Sequence, residues 1–219
     1  MFSSEVIQML IKGIGETLYM TLVSTVFGYL FGLPMGILLT ISDKEGIKPN
    51  PLLYKILDVI ANIVRSVPFL ILLIVLIPFT RLIVGKSYGS TATIVPLVAA
   101  AVPYIARMVE SSLREVDAGV IEAARSMGAS TYTIVTKVLL VEARTSLIVG
   151  VTITLGTILG YSAMAGNVGG GGLGDIAVRY GYFRYEAGIM AVTVVLLILL
   201  VQIFQTIGMR LSVRLDKRK

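Results

Sequence analysis

Glu122-Ala123-Ala124-Arg125-Ser126-Met127-Gly128-Ala129 sits in the only long polar interval of an otherwise apolar chain. Glu122 through Met127 favour a helix. Gly128 is suited to the left-handed C′ position that ends one. Ser130 or Thr131 can then cap a second helix, with Ile134, Val135, Val138 and Leu139 on one face. Two alanines beside a carboxylate make a helix tip that another protein can approach closely. On physical grounds alone, the same residues also suit an ordinary helix–turn–helix loop.

Outward from this interval the chain is built for lipid. Of 219 residues 56% are hydrophobic and 15% charged, against about 25% charged in a soluble domain. Residues 17–42, 66–80, 87–106, 145–174 and 187–209 carry no charge at all. A helix needs about 20 apolar residues to cross the hydrocarbon. Four gaps are long enough, and 66–80 must borrow residues upstream. The gaps are continuously apolar rather than alternating, so the expectation is an all-α integral membrane protein with about five transmembrane helices. The expected division is an extracytoplasmic lead-in over 1–16, a membrane domain over 17–209 and a basic tail over 210–219.

The distribution of Lys and Arg sets the orientation. Residues 43–55, 107–144 and 210–219 together hold thirteen of them, and the opposite side holds five: Lys12, Arg81, Lys86, Arg179 and Arg184. Positive residues stay cytoplasmic, so the N-terminus is expected outside and the C-terminus inside. The net charge of +6 follows from this topology, with the tail at anionic headgroups, and does not imply nucleic acid. The absence of His and Cys argues against a transition-metal site. The N-terminus lacks the basic start and small-residue cleavage site of a signal peptide.

Several features along the chain carry further expectations. Gly28, Gly32 and Gly36 repeat every four residues and let another helix approach the first span closely. Pro34 is expected to kink that span. Asp58, Asn62 and Arg65 share one helical face. They either line the interior of the bundle or lie on an interfacial helix at the cytoplasmic surface. Gly85-Lys86-Ser87 has the end of a phosphate-binding motif, but Thr80 stands where its first glycine belongs, and nucleotide binding by this chain is rejected. Arg107 and Glu110 can pair three residues apart. The run Gly169 to Gly174 suits a flexible or tightly packed outer turn. The last span, 187–209, is expected to be an anchor.

Glu122-Ala123-Ala124, three residues, Gly128 and the run to Val138-Leu139-Leu140 resemble the "EAA" coupling loop of ABC importer permeases. One departure is Val141, where that family commonly has proline. Arg65-Ser66-Val67-Pro68-Phe69 and Val102 through Leu113 resemble the same family. Glu16-Thr17-Leu18 with Gly32-Leu33-Pro34-Met35-Gly36, and Tyr161 through Gly174, are similar to its methionine-importer branch.

The resemblance implies the type I ABC importer permease fold, with coupling helices between spans three and four (about 107–144). It implies a homodimer in a bacterial inner membrane and two cytoplasmic ATP-binding subunits that hold ATP–Mg, this chain holding no cofactor. It also implies an external substrate-binding (lipo)protein and D- or L-methionine as cargo. Glu122, Ala123, Ala124, Arg125, Gly128 and Ala129 would meet the ATPase, with Glu122 on a basic residue. Arg65, Tyr161, Ser162, Met164 and Asn167 would line the path. Met164, soft and adaptable, would lie at the two-fold axis near the outer face. No catalytic constellation is visible, so energy must come from a partner. The competing readings are a permease for another amino acid or small solute, an ATP-independent channel or secondary transporter, and an assembly scaffold.

Overall fold

The computed structural model describes residues 3–215. Met1 and Phe2 of the lead-in, and Lys217, Arg218 and Lys219 of the tail, lie outside the described residues. Helix α1 (Ser4–Ser42) starts where the Ser3 hydroxyl accepts the Val6 N–H. It continues without a break through the expected lead-in, because Gly13 and Gly15 weaken a helix without stopping it. The remaining long apolar helices are α5 (Ser90–Arg114), α9 (Arg144–Ala165) and α11 (Ala187–Leu215).

The α1–α5 seam is a long stretch of close backbone packing. A Cβ on Gly36 would stand 2.6 Å from both the Ala106 carbonyl oxygen and Val109 Cβ, and one on Gly32 would stand 2.8 Å from the Val102 oxygen. In lipid, where tails are as apolar as leucine, such backbone approach is what holds helices together. Met20, Leu97, Ile105 and Val109 fill the seam and are fully buried.

The second crossing is not one span. α2 (Pro51–Ser66), capped by Asn50, is followed by α3 (Phe69–Val75) at a bend of 103°. Pro68 causes this, since it disfavours helix at Val67, which is extended. Leu76 N–H donates to Leu72 and Thr80 N–H to Leu76, so α3 runs on into α4 (Ile77–Val84). Residues 69–84 rise about 24 Å at 1.5 Å per residue. The expected single helix reaching back from 80 is therefore replaced by a bent pair. Asp58 and Asn62 of α2 face α5, while Leu52, Ile56, Ile60 and Ile63 point outward.

A short helix α6 (Ala118–Ser126) follows α5, then α7 (Thr131–Thr133), a π-helical stretch (Ile134–Leu139) and α8 (Leu140–Glu142). After α9 a turn of 3-10 helix leads into α10 (Gly172–Ile176), extended by a π-helical stretch (Ala177–Tyr182). The glycine run is a rigid turn. Gly172 N–H donates to Glu16 Oε2 at 2.7 Å and Leu173 N–H to Thr17 Oγ1 at 2.9 Å, while Gly89 N–H reaches the Gly169 carbonyl at 2.9 Å. A Cβ on Gly174 would fall on the backbone of Ala163. Gly174→Ala is expected to destabilise the protein by about 1–3 kcal/mol through overpacking, read as a lower thermal midpoint in detergent.

These contacts sort the molecule into two ends. Residues 12–17, 85–93 and 166–176 meet at one. At the other, Arg125 bonds the Ile47 carbonyl and Ser212 bonds the Thr145 carbonyl. The three segments that hold thirteen of the nineteen Lys and Arg thus share this second end, apart from the residues beyond 215.

Candidate functional site: the coupling surface and the open face of α9

At the basic end, Asp117 caps α6 by accepting the Gly119 N–H at 2.8 Å. The helix stops at Gly128, whose φ is +76°. Gly128 N–H donates to Arg125 O at 2.9 Å and Ala129 N–H to Ala124 O at 3.1 Å, the two bonds of a Schellman ending. Ser130 then caps α7 by accepting the Thr133 N–H. The chain turns sharply between two helices, each with its end satisfied.

This turn presents a knob. Glu122 and Ala123 are exposed on α6. Arg125 is exposed too, but it donates to the Ile47 carbonyl at 2.7 Å and the Gly46 carbonyl at 3.4 Å, strapping α6 to the loop after α1. Ala124 departs from the expectation of a partner contact. It is 5% exposed and packs into the chain's own core with Leu139 and Val116. The reason is helical phase: Ile121 and Ala124, three apart, share the inner face, and Glu122 and Ala123 the outer. Ala129 is half-buried.

The knob also carries two large exposed apolar residues absent from the sequence expectation, Met127 and Tyr132, 81% and 77% exposed. They flank the Gly128 turn. Their signal was an apolar residue in the middle of a polar turn, out of phase with the buried stripe. A cleft of about 260 Å³ opens beside α6, with Glu122, Glu45 and Asp43 among its walls. The departure at Val141 leaves the helix intact, with α8 continuing to Glu142.

The residues expected along the path separate into two groups. Tyr161 stacks on Phe69, ring centroids 4.6 Å apart and planes within 4°, which joins α9 to the start of α3. Arg65 is exposed at the end of α2, four residues before Phe69, and its side chain makes no hydrogen bond or ion pair among the described residues. Met164 is exposed on an open side of α9 and Asn167 on the 3-10 turn that follows it, with Asn167 Nδ2 donating to the Met164 carbonyl at 3.1 Å. Gly160, one turn below Met164, faces empty space. Ser162 departs from expectation. It is buried, and its hydroxyl donates to the Leu159 carbonyl at 2.7 Å, so it offers nothing to the open face.

A bundle of apolar helices, one crossing sharply bent, with an exposed helix–turn–helix knob at its basic end defines a class, and comparison with known proteins assigns it. Residues 17–219 match the family described as "Binding-protein-dependent transport system inner membrane component", and the chain belongs to that family. It is a multi-pass inner-membrane protein, the permease subunit of an ABC importer. The chain is 52% identical over 210 residues to the "Probable D-methionine transport system permease protein MetI" of Vibrio cholerae serotype O1, covering 96% of this chain and 93% of the relative. It is also 52% identical over 164 residues to the D-methionine transport system permease protein MetI of Escherichia coli (strain K12), covering 75% and 76%. A chain of the solved structure "Inward facing conformations of the MetNI methionine ABC transporter" superposes with a TM-score of 0.97 at 49% identity, over 99% of this chain and all of the other. A chain of an amino acid ABC transporter with histidines shares the fold, with a TM-score of 0.79 at 20% identity over 96% and 95%.

Proposed function

We propose that this chain carries methionine, in both D and L forms, across the inner membrane as a homodimer driven by two cytoplasmic ATPase subunits. The observation that supports the drive is the knob. Glu122 and Ala123 stand exposed, with Met127 and Tyr132 beside them, on a helix strapped to its own bundle through Arg125 and Ala124. An exposed carboxylate beside a small residue fits a groove with a basic side chain. Closure of the ATPases on ATP–Mg would draw the two knobs of the dimer together, and the spans would follow as rigid bodies. The permease has no catalytic site of its own, and hydrolysis belongs to the partner.

The basic end, knob included, faces the cytoplasm and the N-terminus faces outside, as the positive-inside rule requires. An external binding protein delivers the cargo to the glycine-rich end, and lipid covers the outer apolar faces. Met164 and Asn167 line the path near the two-fold axis, with Arg65 and Tyr161 at its side. These groups are sparse and adaptable, which suits passage without tight binding. The methionine assignment draws on the named relatives, which share about half of their residues with this chain.

The test is ATP-dependent uptake in liposomes holding permease, ATPase and binding protein. Labelled methionine should accumulate and be competed by unlabelled D- and L-methionine, but not by histidine or glutamate. Accumulation of another amino acid in preference to methionine would replace the cargo assignment.

A further inference from the structure

α2 has a thin apolar attachment to the bundle: Leu52, Ile56, Val59, Ile60 and Ile63 are exposed, Leu53, Leu57 and Val64 are only half-buried, and Ala61 is its one fully buried residue. The remaining attachments converge on Glu110 of α5, which is 5% exposed. One Glu110 oxygen accepts Arg107 Nη1 at 2.7 Å. The other accepts Arg114 Nη2 at 2.8 Å and the Tyr54 hydroxyl at 3.3 Å. Arg107 Nη2 reaches on to Asp58 and to Asn62 Oδ1 at 2.9 Å. Arg114 Nη2 reaches Asp43 at the end of α1. One buried carboxylate therefore joins α1, α2 and α5.

Static stability does not account for this arrangement. Apolar residues of similar volume commonly serve as well as a buried ion cluster, and the best-attested use of such clusters is to fix register. Arg107 Nε is buried without a partner, so the cluster is not even fully satisfied. Its position is more informative. On one side it meets Asp43, next to the loop that holds Arg125 of the knob. On the other it holds α2, which turns through 103° into Phe69 and the Tyr161 stack.

We propose that Glu110 is a positioning residue that locks α2 to α5, so that displacement of the knob reaches the Phe69–Tyr161 pair. The proposal rests on the transport reading above. Without the lock, α2 has too little apolar contact to follow α5. The knob can still be moved by the ATPases, but the motion is lost before it reaches the path.

The experiment compares the native chain with Glu110→Gln, each assembled with its ATPase in liposomes, reading ATP hydrolysis and methionine uptake in the same vesicles. Hydrolysis should stay within about twofold of native while uptake per ATP falls about tenfold, the scale of mutations that alter coupling between sites. The chain has no cysteine, so spin labels placed by Ile60→Cys on α2 and Ser111→Cys on α5 report the lock alone. Their distance distribution should stay narrow through the nucleotide cycle in the native chain and broaden in Glu110→Gln. An unchanged uptake ratio would overturn the proposal. So would a parallel loss of hydrolysis and uptake with an unaltered label distance. If the native complex hydrolyses ATP but carries no methionine, the transport reading fails instead, and the label distances still decide the lock.

Discussion

Gly36→Leu is expected to leave little or no folded protein. Even the first added carbon would stand 2.6 Å from a backbone oxygen of α5, and backbone cannot rotate away as a long side chain can. Adding four carbons at the α1–α5 seam should cost about 3 kcal/mol or more, the upper range for overpacked cores. The loss is amplified because Gly28 and Gly32 continue the same seam, so separating the helices at one point forfeits the other close approaches. The check is the yield of monodisperse protein in mild detergent and its thermal midpoint. Leu38→Ala on the exposed face of the same helix is the control, and should leave both near native.

The second large effect separates two adjacent alanines. Ala123→Trp should abolish ATP-driven uptake while the midpoint of the permease stays native, because Ala123 is exposed on the knob and touches no core. Ala124→Leu should cost about 1–3 kcal/mol of stability and lower the midpoint, because Ala124 lies in the core with Leu139 and Val116. Binding of the purified ATPase should fail with Ala123→Trp. A bulky residue at 123 that left ATPase binding and uptake intact would show that the knob docks by another face.

Much of this was visible in the residues. Charge-free gaps marked the spans because a charge in hydrocarbon is expensive. The asymmetry of Lys and Arg correctly grouped segments that the structure brings to one end. Gly128 announced its left-handed turn, and Gly28, Gly32 and Gly36 announced the seam. The resemblance at Glu122 to Gly128 named the family that the comparisons then showed.

What stayed hidden depended on phase and on long-range contact. Neighbouring alanines look alike in a string of letters, and only the inward stripe of Ile121 and Ala124 tells them apart. The polar stripe of Asp58, Asn62 and Arg65 left the second crossing open between a helix in the bundle and one at the surface, and the bend itself comes from proline's steric limit on the residue before it. Ser162 suits a path by its polarity, yet its hydroxyl is satisfied within its own helix. The glycine run is fixed rather than flexible because Glu16 and Thr17, some 156 residues earlier, bind its N–H groups. No local pattern encodes that pairing.

The central claim is that this chain is a conduit whose stroke arrives from outside it, through the knob around Glu122. Its most direct test is methionine uptake into liposomes carrying the purified chain alone, the chain with its ATPase, and Glu122→Lys with the ATPase, each with the binding protein and with and without ATP. The account predicts accumulation only for the native chain with both ATPase and ATP, and at least a tenfold loss for Glu122→Lys, about 1.4 kcal/mol of coupling or more. Accumulation by the chain alone, or undiminished uptake by Glu122→Lys, would contradict it.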